Sequence, residues 1–397
     1  MAVRGRASPA RAVVGLTAVA SGLALAALPV FLVGGLAVQI RSDLGFSETE
    51  LGAAVTATFV VGAALGPVGG RIADRIGARA AVLGGAALST ASLAGITLVA
   101  SGWMSMAAFL ALAGIALSLM DPGLAILITR TTRPGRQGLA FGVKEASIPT
   151  ATLLAGLAVP SVALTLGWRW AFTLGVVPLA ALAWTLPRLD LSNPISPTPL
   201  EETGPPPPRR AVVTVALGAA VASSAASGIS VFLTESAVAM GMEPGPAGIL
   251  LATGSVAGIA TRVGTGIRAD RHGGTQLGLM SAMMAVGAVA MVLAAMGGDT
   301  LLVIGTIGAF AGGWGWSGLL FLSLVRSSPA APGAVAGIGL AGLAIGNAVG
   351  PLAFGAAAQH LSFSAAWTGA ATLTAVAALL MWRARPAFLA AHAPSSG

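Results

Sequence analysis

Five ionisable side chains stand inside long apolar stretches of the chain: Asp121, Lys144, Glu145, Glu235 and Arg262. An ionised group in such surroundings is costly, so by default each points to a function and to a partner. The two cations suit an anion, Arg offering a two-pronged donor to a carboxylate-like group and Lys a point charge. The three carboxylates suit ion pairing or the carriage of a proton. Other chemistries lack their residues. The chain has no Cys and only three scattered His, which excludes disulfides, thiol nucleophiles and a metal constellation. It has no Gly-x-x-x-x-Gly-Lys-Ser/Thr stretch for a nucleotide, and no cofactor is expected.

The elements that must position these side chains follow from composition. The 397 residues are 56% hydrophobic and 9% charged, where soluble domains carry about 25% charged residues. A spanning helix needs ~20 apolar residues. Charges and Gly/Pro turns bound twelve such stretches, at about 13–38, 50–70, 79–99, 104–128, 138–163, 168–187, 211–236, 246–267, 275–296, 301–325, 333–358 and 363–382. The expected class is therefore an all-α integral membrane protein.

Arg4, Arg6 and Arg11 precede the first stretch as in a secretory signal, but no clean cleavage pattern follows, so it reads as a retained signal-anchor. With both termini cytoplasmic, 17 cations fall on the cytoplasmic side, Arg41 and Arg169 outside, and Lys144 and Arg262 within spans. The reverse topology would violate the positive-inside rule. The net charge of +8 thus reflects topology and contact with anionic lipid, not nucleic acid. Twenty of the 21 cations are Arg, Tyr is absent, and Ala and Gly abound, a high-GC pattern that points to a bacterium and its cell membrane.

Residues 188–210, with Pro205 to Pro208 beside Glu201 and Glu202, read as an extended cytoplasmic linker between bundles at 1–187 and 211–397. The two parts share motifs. Ile72-Ala73-Asp74-Arg75 with Gly77 matches Arg268-Ala269-Asp270-Arg271 with Gly273 at an offset of 196 residues, and Val30-Phe31-Leu32 recurs as Val231-Phe232-Leu233. Two pseudo-symmetric six-helix bundles are expected, with a solute site near the midplane between them.

On these residues the chain resembles the major facilitator superfamily. The family's signature between spans two and three is met by Gly70, Ala73, Asp74, Arg75, Gly77 and Arg79, and echoed by Gly266, Asp270, Arg271 and Gly273. Gly167-Trp168-Arg169 and Phe172 resemble a further family feature. Gly66 and Gly70 would let helices approach, Asp74 would bind a helix N-terminus, and Arg75 and Arg79 would pair with carboxylates or lipid phosphate. The alternative is a charged loop that only enforces topology. Two features of proton-coupled and drug-exporting members are missing: Leu110 stands where an Arg is common, and span five lacks the Gly-Pro signature. A Lys opening span five and an Arg in span eight instead resemble cyanate-permease-like, oxalate/formate and nitrate-type anion transporters.

Lys144 and Arg262 lie ~9 Å below the cytoplasmic ends of spans five and eight, which meet in the resembled fold, so both are candidates for an anion. Arg262 pairing with Glu145 as a gate, or snorkelling, are the competing readings. Glu145 projects ~100° around the helix from Lys144, so the cavity is assigned to Lys144 and a structural or gating pair to Glu145. Asp121, before Pro122-Gly123, is expected to pair with Lys144 or Arg130 or to carry a proton beside a kink that exposes carbonyls near Ser118. Glu235 is a proton-coupling candidate or a hydrated outer carboxylate. Trp314 and Trp316, ~200° apart on a helix, leave room for one ring in the cavity. Gln39 and Asn347 complete the substrate-binding candidates.

The expected function is secondary transport of a small organic or inorganic anion, by proton symport or exchange, from a monomer. Proton-driven efflux of apolar or cationic compounds is the alternative. A non-transporting sensor or intramembrane enzyme is a third reading, without a nucleophile–base pair to support it.

Overall fold

The computed structural model describes residues 9–132, 136–189, 207–272, 274–327 and 332–390. Among them are twelve helices long and apolar enough to cross a membrane. The first six are spans one (Ala12–Gly35), two (Glu48–Ile76), three (Ala78–Val99), four (Trp103–Ile128), five (Gln137–Ala163) and six (Trp168–Arg188). Spans seven (Arg209–Ala239), eight (Pro244–Arg271), nine (Leu277–Ala295), ten (Asp299–Leu324), eleven (Gly337–His360) and twelve (Phe363–Ala390) follow. Every stretch read from hydropathy is one of these helices. Residues 190–206, most of the expected linker, and Gly273 lie outside the described residues.

Consecutive spans alternate in direction. The end where span one begins and span twelve finishes is called the near end below, and the opposite one the far end. The largest departure from the hydropathy reading is at the near end, where spans two and eight run to Ile76 and Arg271. Asp74-Arg75 and Asp270-Arg271 are thus final helical turns rather than loops. Gly77 alone joins spans two and three, at φ 84°, a left-handed conformation that glycine adopts without a Cβ clash.

In lipid no hydrophobic drive brings helices together, so they associate where small residues let backbones touch. Span eleven presents Gly342, Gly346 and Gly350 on one face. A Cβ at each would stand 2.2, 2.1 and 2.1 Å from the carbonyl oxygens of Ala216, Ala220 and Ser224 in span seven. Spans five and eight pack from end to end. Gly138 and Gly142 lie against the Gly266 and Arg262 backbone, the Thr152 and Ser255 hydroxyls meet at 2.6 Å, and Gly156 lies against Gly248. Arg169, one of the two cations on the far side, donates to the carbonyls of Ile96, Thr97 and Ala100 at the end of span three, where a helix dipole favours a cation.

Spans two and eleven behave differently. Toward the far end they touch: Gly52 lies against Pro351 and Leu352, Thr56 donates to the Ala348 carbonyl at 2.8 Å, and Gly355 abuts Glu48. Toward the near end Gly66 and Gly70 of span two and Gly337 of span eleven face open space. The bundle is closed at the far end and drawn apart between these spans at the near end.

Candidate functional site

Span five carries the centre of the site because it faces both neighbours. Lys144 and Glu145 are consecutive and each 6% exposed. The Lys144 Nζ lies 2.6 Å from Asp121 of span four and 3.5 Å from Glu145. The Ser317 hydroxyl of span ten donates to the other Glu145 oxygen at 2.9 Å. The fourth member is Arg262 of span eight, 1% exposed; it makes no ion pair with Glu145, so the expected gate pair is not formed, although the Glu145 charge is near enough to act on it. Its Nη2 donates to the Trp314 carbonyl at 2.5 Å and its guanidinium lies 4.8 Å from the Trp314 ring centre. Two cations and two carboxylates make the cluster formally neutral.

A cavity of about 80 Å³ opens beside this cluster. Glu145 is the one ionisable side chain among the described residues that line it, with Ser223 and Ser227 of span seven, Ser317 and Asn347 giving hydroxyl and amide groups. Phe31, Phe59, Trp314 and Trp316 supply aromatic faces, and Leu23, Leu117, Ile148 and Leu343 apolar ones. The space is several times the ~10–15 Å³ that one water needs, and suits a small solute.

Three expectations about placement change here. The cavity was assigned to Lys144, but Glu145 lines it, and Lys144 turns toward Asp121. A helical position fixes where Cβ points, and the flexible four-carbon Lys stem carries its charge away from that direction. Only one of Trp314 and Trp316 was given room in the cavity, yet both line it. Span ten is not a regular helix there: a wide turn at Ala309–Gly313 leads into non-helical residues 314–316, so 100° per residue does not apply. Gln39 lies past the end of span one, on the short helix Ala37–Leu44 at the far end, away from the cavity-lining residues.

The other candidates fall into place around this centre. Asp121 takes the Lys144 pairing. Pro122 leaves span four helical, and the Ser118 carbonyl beneath it is covered by Gly69 of span two, where a Cβ would stand 2.0 Å from that oxygen. Arg130 lies in the last turn of the span-four helix, which runs to Thr131. Glu235, 6% exposed in span seven, is ion-paired with Arg41 at the far end. Arg41, Ser317, Ser223 and Ser227 were not foreseen. Arg41 had one signal, as a cation on the side the charge bias leaves poor.

At the near end the two copies of the Asp-Arg motif are in different states. Asp270 accepts hydrogen bonds from the Gly138 and Leu139 amides, at 2.7 and 2.9 Å, at the start of span five. Carboxylate and helix N-terminus form a favourable charge–dipole pair. Arg326 stands 3.9 Å from Asp270 and donates to the Ala269 carbonyl. Burial pushes its guanidinium below the ordinary range, and the Asp270 charge opposes that. In the first copy Asp74 and Arg75 are exposed, Gly70 faces open space, and Arg79 donates to the Leu189 carbonyl after span six. Arg271 is exposed, while Gly266 packs on Gly138. The contact expected of Asp74, a carboxylate on a helix N-terminus, is thus made by Asp270 of span eight on span five and not by span two.

Comparisons with known proteins agree with this architecture. The family model of the Major Facilitator Superfamily matches residues 19–338. A crystal structure of a D-xylose-proton symporter superimposes with a TM-score of 0.73 at 16% identity, covering 95% of this chain and 98% of that one. No curated protein matches the sequence. The chain belongs to the major facilitator superfamily, and is a multi-pass membrane transporter rather than an enzyme.

Proposed function

We propose that this superfamily member is a secondary transporter that carries a small anion together with a proton by alternating access. The observation that supports the reading is the neutral cluster with one member, Glu145, on the cavity wall. While Glu145 is ionised, the cluster offers an anion no net attraction. When Glu145 takes a proton, Lys144 and Arg262 face Asp121 alone and the cluster carries one positive charge. Lys144 keeps its shorter contact, the 2.6 Å pair with Asp121, while Arg262 keeps its backbone acceptors and is left without a counter-charge. An anion in the cavity then restores neutrality, and in a low-dielectric interior that attraction is strong. Proton and anion each favour the other's binding, which is the thermodynamic content of symport. Ser223, Ser227 and Asn347 supply donors for the anion, and the aromatic rings pack its apolar part.

In this reading the separation of spans two and eleven at the near end gives the cavity access to the side richer in cations, which the positive-inside rule assigns to the cytoplasm. The structural relative is itself titled a proton symporter, in keeping with a proton-driven cycle. Purified protein in liposomes would be tested with radiolabelled formate, acetate, oxalate and cyanate under an imposed proton gradient, beside Glu145→Gln. One of these anions is expected to accumulate with the gradient, and the variant to exchange it without accumulation. The four aromatic rings on the cavity wall favour a second reading, export of an apolar or cationic compound against Glu145. Movement of a lipophilic cation with no anion flux would select it.

A further inference from the structure

Arg262 is the largest charged side chain buried among the described residues, and the cavity wall does not include it. Its hydrogen bonds go to backbone. Nη2 donates to the Trp314 carbonyl at 2.5 Å and Nη1 to the Gly258 carbonyl of its own helix at 3.4 Å, while the guanidinium lies over the Trp314 ring. We infer that Arg262 is a positioning residue that holds span ten unwound at residues 314–316, and so shapes the solute cavity without touching the solute.

The reasoning starts from the break itself. Span ten is helical over Asp299–Gly308, widens at Ala309–Gly313, and becomes helical again at Ser317–Arg326. Unwound backbone inside a membrane protein persists only where its polar groups find partners. The Gly313 carbonyl is taken by the Trp316 indole, which donates at 2.8 Å. The Trp314 carbonyl is taken by Arg262. Span nine also fits against the break through Gly287, where a Cβ would stand 2.2 Å from the Gly313 nitrogen. The break is thus met by a guanidinium and by a bare helix backbone.

The break then determines the site. It turns both Trp314 and Trp316 to the cavity, which a continuous helix would not do, and it starts the second helical segment at Ser317, whose hydroxyl holds Glu145. A guanidinium suits the task because its planar fork serves two carbonyls while its face lies on an indole. This inference does not depend on the charge of the solute, so it stands or falls apart from the anion reading.

The test is amide hydrogen exchange in purified wild-type, Arg262→Gln and Arg262→Lys proteins, read on peptides covering residues 309–317 and on spans seven and eleven as internal controls. Arg262→Gln is expected to exchange about tenfold faster in 309–317 alone, the order for losing one charge-assisted hydrogen bond. Arg262→Lys, which can serve one carbonyl but not the stacked fork, is expected to fall between the two. It also keeps the charge if the Gln variant fails to fold. Wild-type exchange in 309–317 in both variants would overturn the inference. If binding of the anion found by the transport assay is lost as well, Arg262 is a direct solute ligand instead. Faster exchange with no anion bound by the wild type would keep the inference and sink the anion reading.

Discussion

Arg41 and Glu235 form an ion pair at the far end that joins the first six spans to the last six. The same guanidinium reaches Glu48, at the start of span two, at 3.0 Å and donates from Nε to the Phe46 carbonyl at 2.8 Å. One side chain therefore ties span seven to the turn between spans one and two. Around it, both amide atoms of Gln39, the hydroxyls of Thr49 and Thr234, and one Glu235 oxygen are buried with no partner in the protein. Unpaired buried polar atoms favour the alternative state in which water reaches them.

Removing that tie should open the far end. Because the chain has no cysteine, a single Ser227→Cys reports on the cavity without background. In a Glu235→Gln background, labelling of that thiol by a membrane-impermeant maleimide from the far side should rise about fivefold or more, as population shifts by roughly 1 kcal/mol. Equal labelling in both backgrounds would show that the spans two and eleven contacts close this end by themselves.

The Lys144–Asp121 pair should be energetically coupled. Asp121→Asn and Lys144→Met should each lower the melting temperature by several degrees, since each leaves the other charge with a poorer partner. The double variant should lose less than the sum, by about 0.5–3 kcal/mol, the range for residues in contact. Additive losses would mean the two side chains act independently.

The two motif copies should respond unequally. Asp270→Asn removes a charge from the amides of Gly138 and Leu139 and should cost about 1.5–3 kcal/mol. Asp74→Asn, at an exposed carboxylate, should change stability by no more than about 0.5 kcal/mol. Thermal unfolding in detergent measures both, and equal losses would contradict the asymmetry between the near-end contacts.

Gly346→Leu should separate spans seven and eleven. A Cβ there would stand 2.1 Å from the Ala220 carbonyl, and overpacking of this kind costs about 1–3 kcal/mol. The same substitution at Gly337, which faces open space, serves as the control and should leave the melting temperature near that of the wild type.

Much of this is legible in the sequence. The hydropathy stretches became spans, the Asp-Arg motif located the near-end turns of spans two and eight, and the intramembrane charges marked where partners would be found. Asp121 with Lys144 was one of two pairings the sequence left open. The Glu235 partner was hidden, because Arg41 is almost two hundred residues away and nothing local to either residue signals the other.

The sequence by itself determined the number of the spans and the residue types inside them. Those depend on the cost of leaving a backbone or charge in lipid, which each stretch of ~20 residues meets by its own composition. Tertiary structure alone decided which of two adjacent charges meets the cavity and which turns away. It also decided that span ten breaks, since a guanidinium from span eight and a bare glycine from span nine must arrive together to hold the freed backbone. Helical phase is a local property, whereas the partner that takes a charge or a carbonyl is supplied from elsewhere in the chain.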